Sequence, residues 1–269
     1  AFGFERMMDT CGAIVGPATA FFLLGALGHS YPRLFAWTLV PGFAAVACLV
    51  FLVREKQRTP VASVSFREGL KRLPPRYRRF LVAVGIFGAG DFAHTLLILL
   101  AAQRLAPSLG TAGAASAAIG LYVAHNVFYA GFAFLAGWLA DRVNKARLLA
   151  TGYALAALMA VLIVVLPPSL WMLAIVFVLG GIYVAIEETL EDSLCAELVP
   201  DEQHGMAFGV LATVNGVGDF LSSVIVGALW STCGTSAAFG YSAALFLAGA
   251  LLVLRAAGAE APLPTANRR

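Results

Sequence analysis

Eight apolar stretches of nearly bilayer length run through the chain, at residues 9–28, 35–53, 80–102, 113–136, 148–166, 170–188, 206–230 and 236–256. A helix that crosses a bilayer needs about 20 consecutive apolar residues, so each stretch is long enough to span. The runs are continuous instead of alternating, which predicts helices and disfavours crossing strands. The fold class expected is therefore all-α, a polytopic transmembrane bundle of eight helices. Composition agrees: 60% of residues are hydrophobic and only 12% charged, about half the charged share of a soluble domain. Disorder, a collagen-like repeat and a disulfide-rich secreted scaffold are excluded on the same grounds. Cys11, Cys48, Cys195 and Cys233 are scattered, with no spacing suited to zinc or redox chemistry, and read as small core residues.

Charge sidedness orients the bundle. If the connections alternate sides, Arg6, the nine bases from Arg54 to Arg79, Arg142, Lys145, Arg147, Arg255, Arg268 and Arg269 fall on one face, and only Arg33 and Arg104 on the other. The positive-inside rule makes the crowded face cytoplasmic, with both ends of the chain on it. A split of sixteen against two also favours an even helix count, because one missed helix would scramble it. The expected location is a plasma membrane of the bacterial inner-membrane kind. The interval from Arg54 to Arg79, with Pro74 and Pro75, is the one long polar connection and reads as a cytoplasmic linker or as a helix lying on anionic headgroups. Ala1 already lies inside a helix start and no signal peptide precedes it, as expected of a fragment.

A weak internal repeat narrows the plan. Phe2-Gly3, Asp9 and Gly12 recur at one constant offset as Phe208-Gly209, Asn215 and Gly218, and Gly25-Ala26-Leu27 matches Gly227-Ala228-Leu229 after a slip of about one helical turn. The first helix is then the counterpart of the seventh. Six-helix repeats joined by a linker describe a parallel two-bundle transporter whose site lies between bundles near the midplane. The expected divisions are 1–53, the last two helices of one bundle; 54–79, the linker; 80–256, a six-helix bundle; and 257–269, a cytoplasmic tail. Four further helices would precede the chain.

Two motifs carry a resemblance. Gly137-Trp138-Leu139-Ala140-Asp141-Arg142, followed by Lys145 and Arg147, resembles the cytoplasmic loop signature Gly-x-Leu-Ala-Asp-Arg-x-Gly-Arg-Arg of the major facilitator superfamily, with Asn144 where the family has a left-handed Gly. The resemblance implies that Asp141 faces the N-terminus of a helix in the other bundle, around Phe2 to Arg6, and that Arg142 pairs with Glu188 or Glu191. Such contacts would latch one conformation; an ordinary charged turn is the plainer alternative. Gly3, Gly12, Gly16-Pro17 and then Ala20-Phe21 resemble the fifth-helix motif of drug and proton antiporters in that superfamily, although Ala20 and Phe21 replace its final glycine pair. Small residues there let helices approach, and Pro17 bends the helix. A generic Gly-rich packing helix would look the same. Near the eleventh helix of the family plan, His204 stands where relatives have Arg.

Ionisable residues at mid-span are rare and usually face a cavity. Asp91, with His94 three residues on and on nearly the same face, is the first candidate for proton coupling or substrate contact, and a structural pair is the alternative. Asp219 and Asn215, four residues apart, form a second polar stripe, while His125 and Asn126, with Tyr122 and Tyr129, are candidates to line the cavity or to glue helices. The chain has no Lys-Ser or Lys-Thr phosphate loop, no His-Glu-x-x-His and no Gly-x-Ser-x-Gly, so neither an ATP-driven pump nor an enzyme is expected. No cofactor, metal or nucleic-acid partner is expected. The function implied by the resemblance is secondary transport of a small molecule by a monomer in the lipid bilayer, through alternating access and proton-coupled efflux. An uptake symporter or facilitator, an inactive truncated fragment, and an integral-membrane enzyme or scaffold are the rivals.

Overall fold

A computed structural model describes residues 2–26, 30–52 and 66–258. The described chain is helical throughout: α1 (Phe2–Ala26), α2 (Tyr31–Trp37), α3 (Leu39–Leu52), α4 (Phe66–Arg72), α5 (Pro75–Gly88), α6 (His94–Ala140), α7 (Lys145–Val165), α8 (Leu170–Leu198), a 3-10 turn at Asp201–Gln203, α9 (His204–Cys233) and α10 (Thr235–Gly258). Residues 54–65 of the expected linker and nearly all of the expected tail lie outside the described residues.

Among the described residues, six helices are long and apolar enough to cross a membrane: Pro32–Leu52, His94–Ala140, Lys145–Val165, Leu170–Leu198, Asp201–Cys233 and Thr235–Ala256. The protein is thus an all-α, multi-pass membrane bundle, with six such helices where eight were expected. The difference arises at the first and third runs. The expected first crossing, 9–28, falls on α1, which is described only as far as Ala26. The expected third, 80–102, is not one helix, because the backbone leaves the helix after Gly88 and resumes it at His94. Its second half then runs on into the fourth. At about 1.5 Å per residue, the 47 residues of α6 would reach about 70 Å if straight, twice a hydrocarbon core. Gly110, at φ 69° and ψ 169°, interrupts it. The rings of His94 and His125, 31 residues apart, lie 4.7 Å centroid to centroid, so the two arms of α6 fold back on each other at Gly110.

Contacts at the other end of the bundle gather one set of termini. The starts of α1 and α9 meet where Phe2 and Phe208 approach to 6.1 Å, the start of α7 is tied to the end of α8 by Lys145 and Glu197 at 2.7 Å, and Tyr77 near the start of α5 donates to the carbonyl of Ala207 at 2.7 Å. The turn from Asp141 to Asn144 lies at this end, and Arg76, Arg78, Arg79, Arg142 and Arg147 are grouped there by the same connectivity. Phe2 and Phe208 are matching positions of the sequence repeat.

Two details of the turn and the core depart from expectation. Asn144 is not left-handed: at φ −65° and ψ 114° it caps α7, its Oδ1 accepting from the Arg147 amide at 2.9 Å. Cys195 is buried, but Cys48 and Cys233 are exposed on the outer surface and are not core residues.

The core lies between α5, α7, α8 and α10, around Phe87, Tyr153, Tyr183 and Phe246. Phe87 stacks on Tyr153 at 3.7 Å and meets Phe246 at 4.7 Å. Without a hydrophobic driving force between helices in lipid, such packing depends on small residues at the crossings. A side chain at Gly181 would strike the His125 carbonyl and come within 3.0 Å of the Tyr129 nitrogen, and Gly218 would meet Gly88 at 3.0 Å. Gly181→Ala is accordingly expected to push α8 off α6, at a cost of about 1–3 kcal/mol. Gly12→Ala, where no described atom lies within 4 Å, serves as the control. Thermal loss of monodisperse protein in detergent measures both, and equal midpoints would refute the crossing argument.

Candidate functional site

The non-helical step between α5 and α6 organises the site. Inside a bilayer, backbone groups freed from a helix need partners from neighbouring helices. Here they come from α9 and α10: Ser222 donates to the Asp91 carbonyl, the Ala93 amide donates to Ser223 Oγ at 3.1 Å, and Tyr241 donates to the Ala89 carbonyl at 3.0 Å. The Gly88/Gly218 crossing sits directly beneath, which brings Asp91 on one strand of the crossing and Asp219 on the other to a common wall.

That wall belongs to a cavity of about 670 Å³, bounded by α1, α8, α9 and the 91–94 step. Among the described residues it is lined by six carboxylates, Asp91, Glu187, Glu188, Glu191, Asp192 and Asp219, and by one permanent cation, Arg6. The four from α8 follow from spacing, since 187, 188, 191 and 192 are i, i+1, i+4 and i+5 and share one helix face. Most are partnered. Arg6 reaches Asp192 at 2.9 Å and Glu188 at 3.3 Å, Tyr129 donates to Glu188, Tyr153 donates to Glu191, and Asn215 Nδ2 donates to Glu191 at 2.8 Å. Tyr183 donates to Asp91 at 3.0 Å. Such charge-assisted bonds offset the desolvation of the buried acids.

The sequence candidates divide. Asp91, His94, Asn215 and Asp219 do line one cavity. Asp91 and His94 do not pair, however. Asp91 lies in the irregular step and not on a helix face with His94; Tyr183 holds its carboxylate, and the His94 ring turns to His125. His125 is glue between α6 and α8, with Nδ1 3.1 Å from the Phe177 carbonyl. Asn126 is 7% exposed and donates to the Tyr122 carbonyl one turn earlier, at 2.8 Å, so it is not on the cavity wall.

In the loop, Arg142 does not reach Glu188 or Glu191. It donates to the Trp138 carbonyl and lies 3.8 Å over the Trp138 ring, because Arg6 and Tyr153 already occupy those acids. Lys145 pairs with Glu197 instead. Asp141 shares a small hollow with Gly3, Phe4, Gly137 and Trp138, at the start of α1. Gly3 and Gly137 approach with backbone in contact, whereas Gly12 and Gly16 face open space; the side chain of Pro17 lies outside the described residues. His204 spans the end of α8, with Nε2 2.9 Å from the Val199 carbonyl and 3.1 Å from that of Ala196.

Arg6, Glu187 and Asp192 were not singled out from sequence as cavity groups. A usable signal existed for the acids, in the repeated Glu-Glu and Glu-Asp pairs four residues apart, and for the break, in Gly88-Ala89-Gly90 interrupting an apolar run. Nothing local marked Tyr153 and Tyr183 as carboxylate partners. Among the described residues, no group of three or more His, Cys, Asp or Glu is placed to hold a metal ion.

A family model described as Major Facilitator Superfamily matches residues 80–269. The chain is also 28% identical, over 253 residues, to an uncharacterised MFS-type transporter of Methanocaldococcus jannaschii; the match covers 94% of this chain and 63% of that protein.

Removing the Tyr153 hydroxyl would leave one oxygen of buried Glu191 without its donor. Tyr153→Phe is expected to cost about 1–3 kcal/mol, and distinctly less in a Glu191→Leu background where neither partner remains. Chemical denaturation in mixed micelles tests the pair; equal costs in the two backgrounds would mean that the hydroxyl supports something other than Glu191.

Proposed function

Because the chain belongs to the major facilitator superfamily, we propose that the protein of which it forms part or all is a secondary transporter that moves a small molecule by alternating access, coupled to protons and directed outward. The observation that carries this reading is the cavity itself, bounded on one side by α1 and on the other by α8 and α9, with Arg6 of α1 gripping Glu188 and Asp192 of α8.

On this reading the chain crosses the membrane eight times, with α1 one crossing and α6 two. Residues 1–53 belong to one bundle and 80–256 to the other, 54–79 link them, and 257–269 form a tail. The basic end faces the cytoplasm of a cell with a bacterial-type inner membrane, and the protein works as a monomer. The Arg6 contacts close the cytoplasmic end of the cavity, and Asp141 near the start of α1, Arg142, Lys145 and Arg147 stiffen the turn beside it.

Protons enter the cycle through Asp91 and Asp219. A carboxylate closed off from water without a cation is costly, and binding a proton removes that charge. Uptake from outside at these two acids lowers the cost of sealing the cavity around them, and release inside resets it. Each charge moved through the field carries about 2.3 kcal/mol per 100 mV. Outward direction is taken from the antiporter-like Gly3, Gly12, Gly16-Pro17 pattern; an uptake symporter would instead accumulate solute with an inward proton gradient.

A substrate-free test uses Ala212, on the cavity wall of α9. In the intact protein, with Cys11, Cys48, Cys195 and Cys233 replaced, Ala212→Cys is expected to react with an impermeant thiol reagent from both sides of oriented vesicles. Adding Arg6→Ala should raise cytoplasmic labelling several-fold. The ratio of the two rates should shift between pH 6 and pH 8, and Asp91→Asn should abolish that shift. Labelling from one side under every condition would overturn alternating access, and a shift that survives Asp91→Asn would overturn proton coupling through Asp91.

A further inference from the structure

The cavity's partners do not account for all of its acids. Arg6 serves Glu188 and Asp192, Asn215 and Tyr153 serve Glu191, and Tyr183 serves Asp91. Two remain. Glu187, only 8% exposed, lies on the wall with no side-chain hydrogen bond or ion pair among the described residues, and the Asp219 side chain likewise has none. His94, on the same wall, has a buried Nε2 without a hydrogen-bond partner. Asp219 is exposed to the cavity, but Glu187 is buried, and a buried carboxylate is rarely left without a partner.

We infer that Glu187 and Asp219 form the binding site for an organic amine in its protonated, N–H-bearing form, which enters the cavity as the missing donor. The inference rests on the transport reading of the same cavity and specifies its substrate class. Charge sets the sign of the occupant: one Arg among six carboxylates repels anions and attracts cations. Size sets its kind. A volume of about 670 Å³ suits a drug-sized molecule and far exceeds a bare ion, and no metal-holding group is present among the described residues. Phe208 and Phe92 supply apolar wall beside the acids, as an amine with a hydrocarbon body requires. Hydrogen bonding sets the head group, because an ammonium with N–H donors satisfies carboxylate oxygens and a quaternary ammonium does not.

The probes are 4-phenylbutylamine, its N,N,N-trimethylammonium analogue and 4-phenylbutyrate, titrated calorimetrically into the intact protein in detergent. The amine is expected to bind saturably, the trimethylammonium analogue at least tenfold more weakly, and the carboxylate not at all. Glu187→Gln and Asp219→Asn should each weaken amine binding at least tenfold. Asp219 is exposed on the wall, so its variant remains informative if Glu187→Gln does not yield monodisperse protein. Amine binding that is absent, matched by the carboxylate or the trimethylammonium analogue, or unaltered by Asp219→Asn overturns the inference. Its failure is separable from that of the transport reading: two-sided labelling of Ala212→Cys without amine binding sinks only the amine site, and amine binding with one-sided labelling sinks only alternating access.

Discussion

A backbone that leaves its helix within hydrocarbon must recover its hydrogen bonds from neighbouring side chains, and the step from Gly88 to His94 meets that demand through Ser222, Ser223 and Tyr241. Much else follows from this arrangement. The two serines hold α9 against the break, the Gly88/Gly218 crossing lets the backbones touch, and Asp91 and Asp219 come to one wall as a result. The aromatic core around Phe87 lies just before the break and anchors it to α7, α8 and α10.

The second organising feature is electrostatic. Four acids on one face of α8 would repel each other and resist burial, and the fold partners three of them, Glu188, Glu191 and Asp192, with phenols, an amide and one guanidinium. Arg6 differs from the other partners because it comes from α1, before the expected linker, while the acids it binds lie far later in the chain. A single side chain therefore joins parts that the sequence repeat assigns to different bundles.

Much of the fold was legible in the chain. Continuous apolar runs reported crossing helices because a bilayer demands that every backbone group bond within its own segment. Phe2 and Phe208, matching positions of the sequence repeat, meet at the starts of α1 and α9. Helix counting failed at the third run, where hydropathy cannot distinguish an apolar helix from an apolar break, whereas the divide expected between residues 102 and 113 does fall where Gly110 reverses the chain. The site was half legible. Asp91 and Asp219 stood out because acids in apolar runs are rare, whereas Glu187 and Asp192 lay at the edge of a run and passed for loop charges.

What the sequence determined by itself was solvent and family: a multi-pass helical chain of the major facilitator superfamily. Composition and periodicity are properties of each segment, and the bilayer reads them segment by segment. Pairing was decided only in three dimensions. Whether Glu188 meets Arg142 or Arg6, whether His94 turns to Asp91 or to His125, and which acids are left without a donor all depend on helix rotations of a fraction of a turn. Those rotations are set by contacts between residues distant in the chain, such as Gly3 with Gly137 and Gly181 with His125, and local spacing holds no record of them.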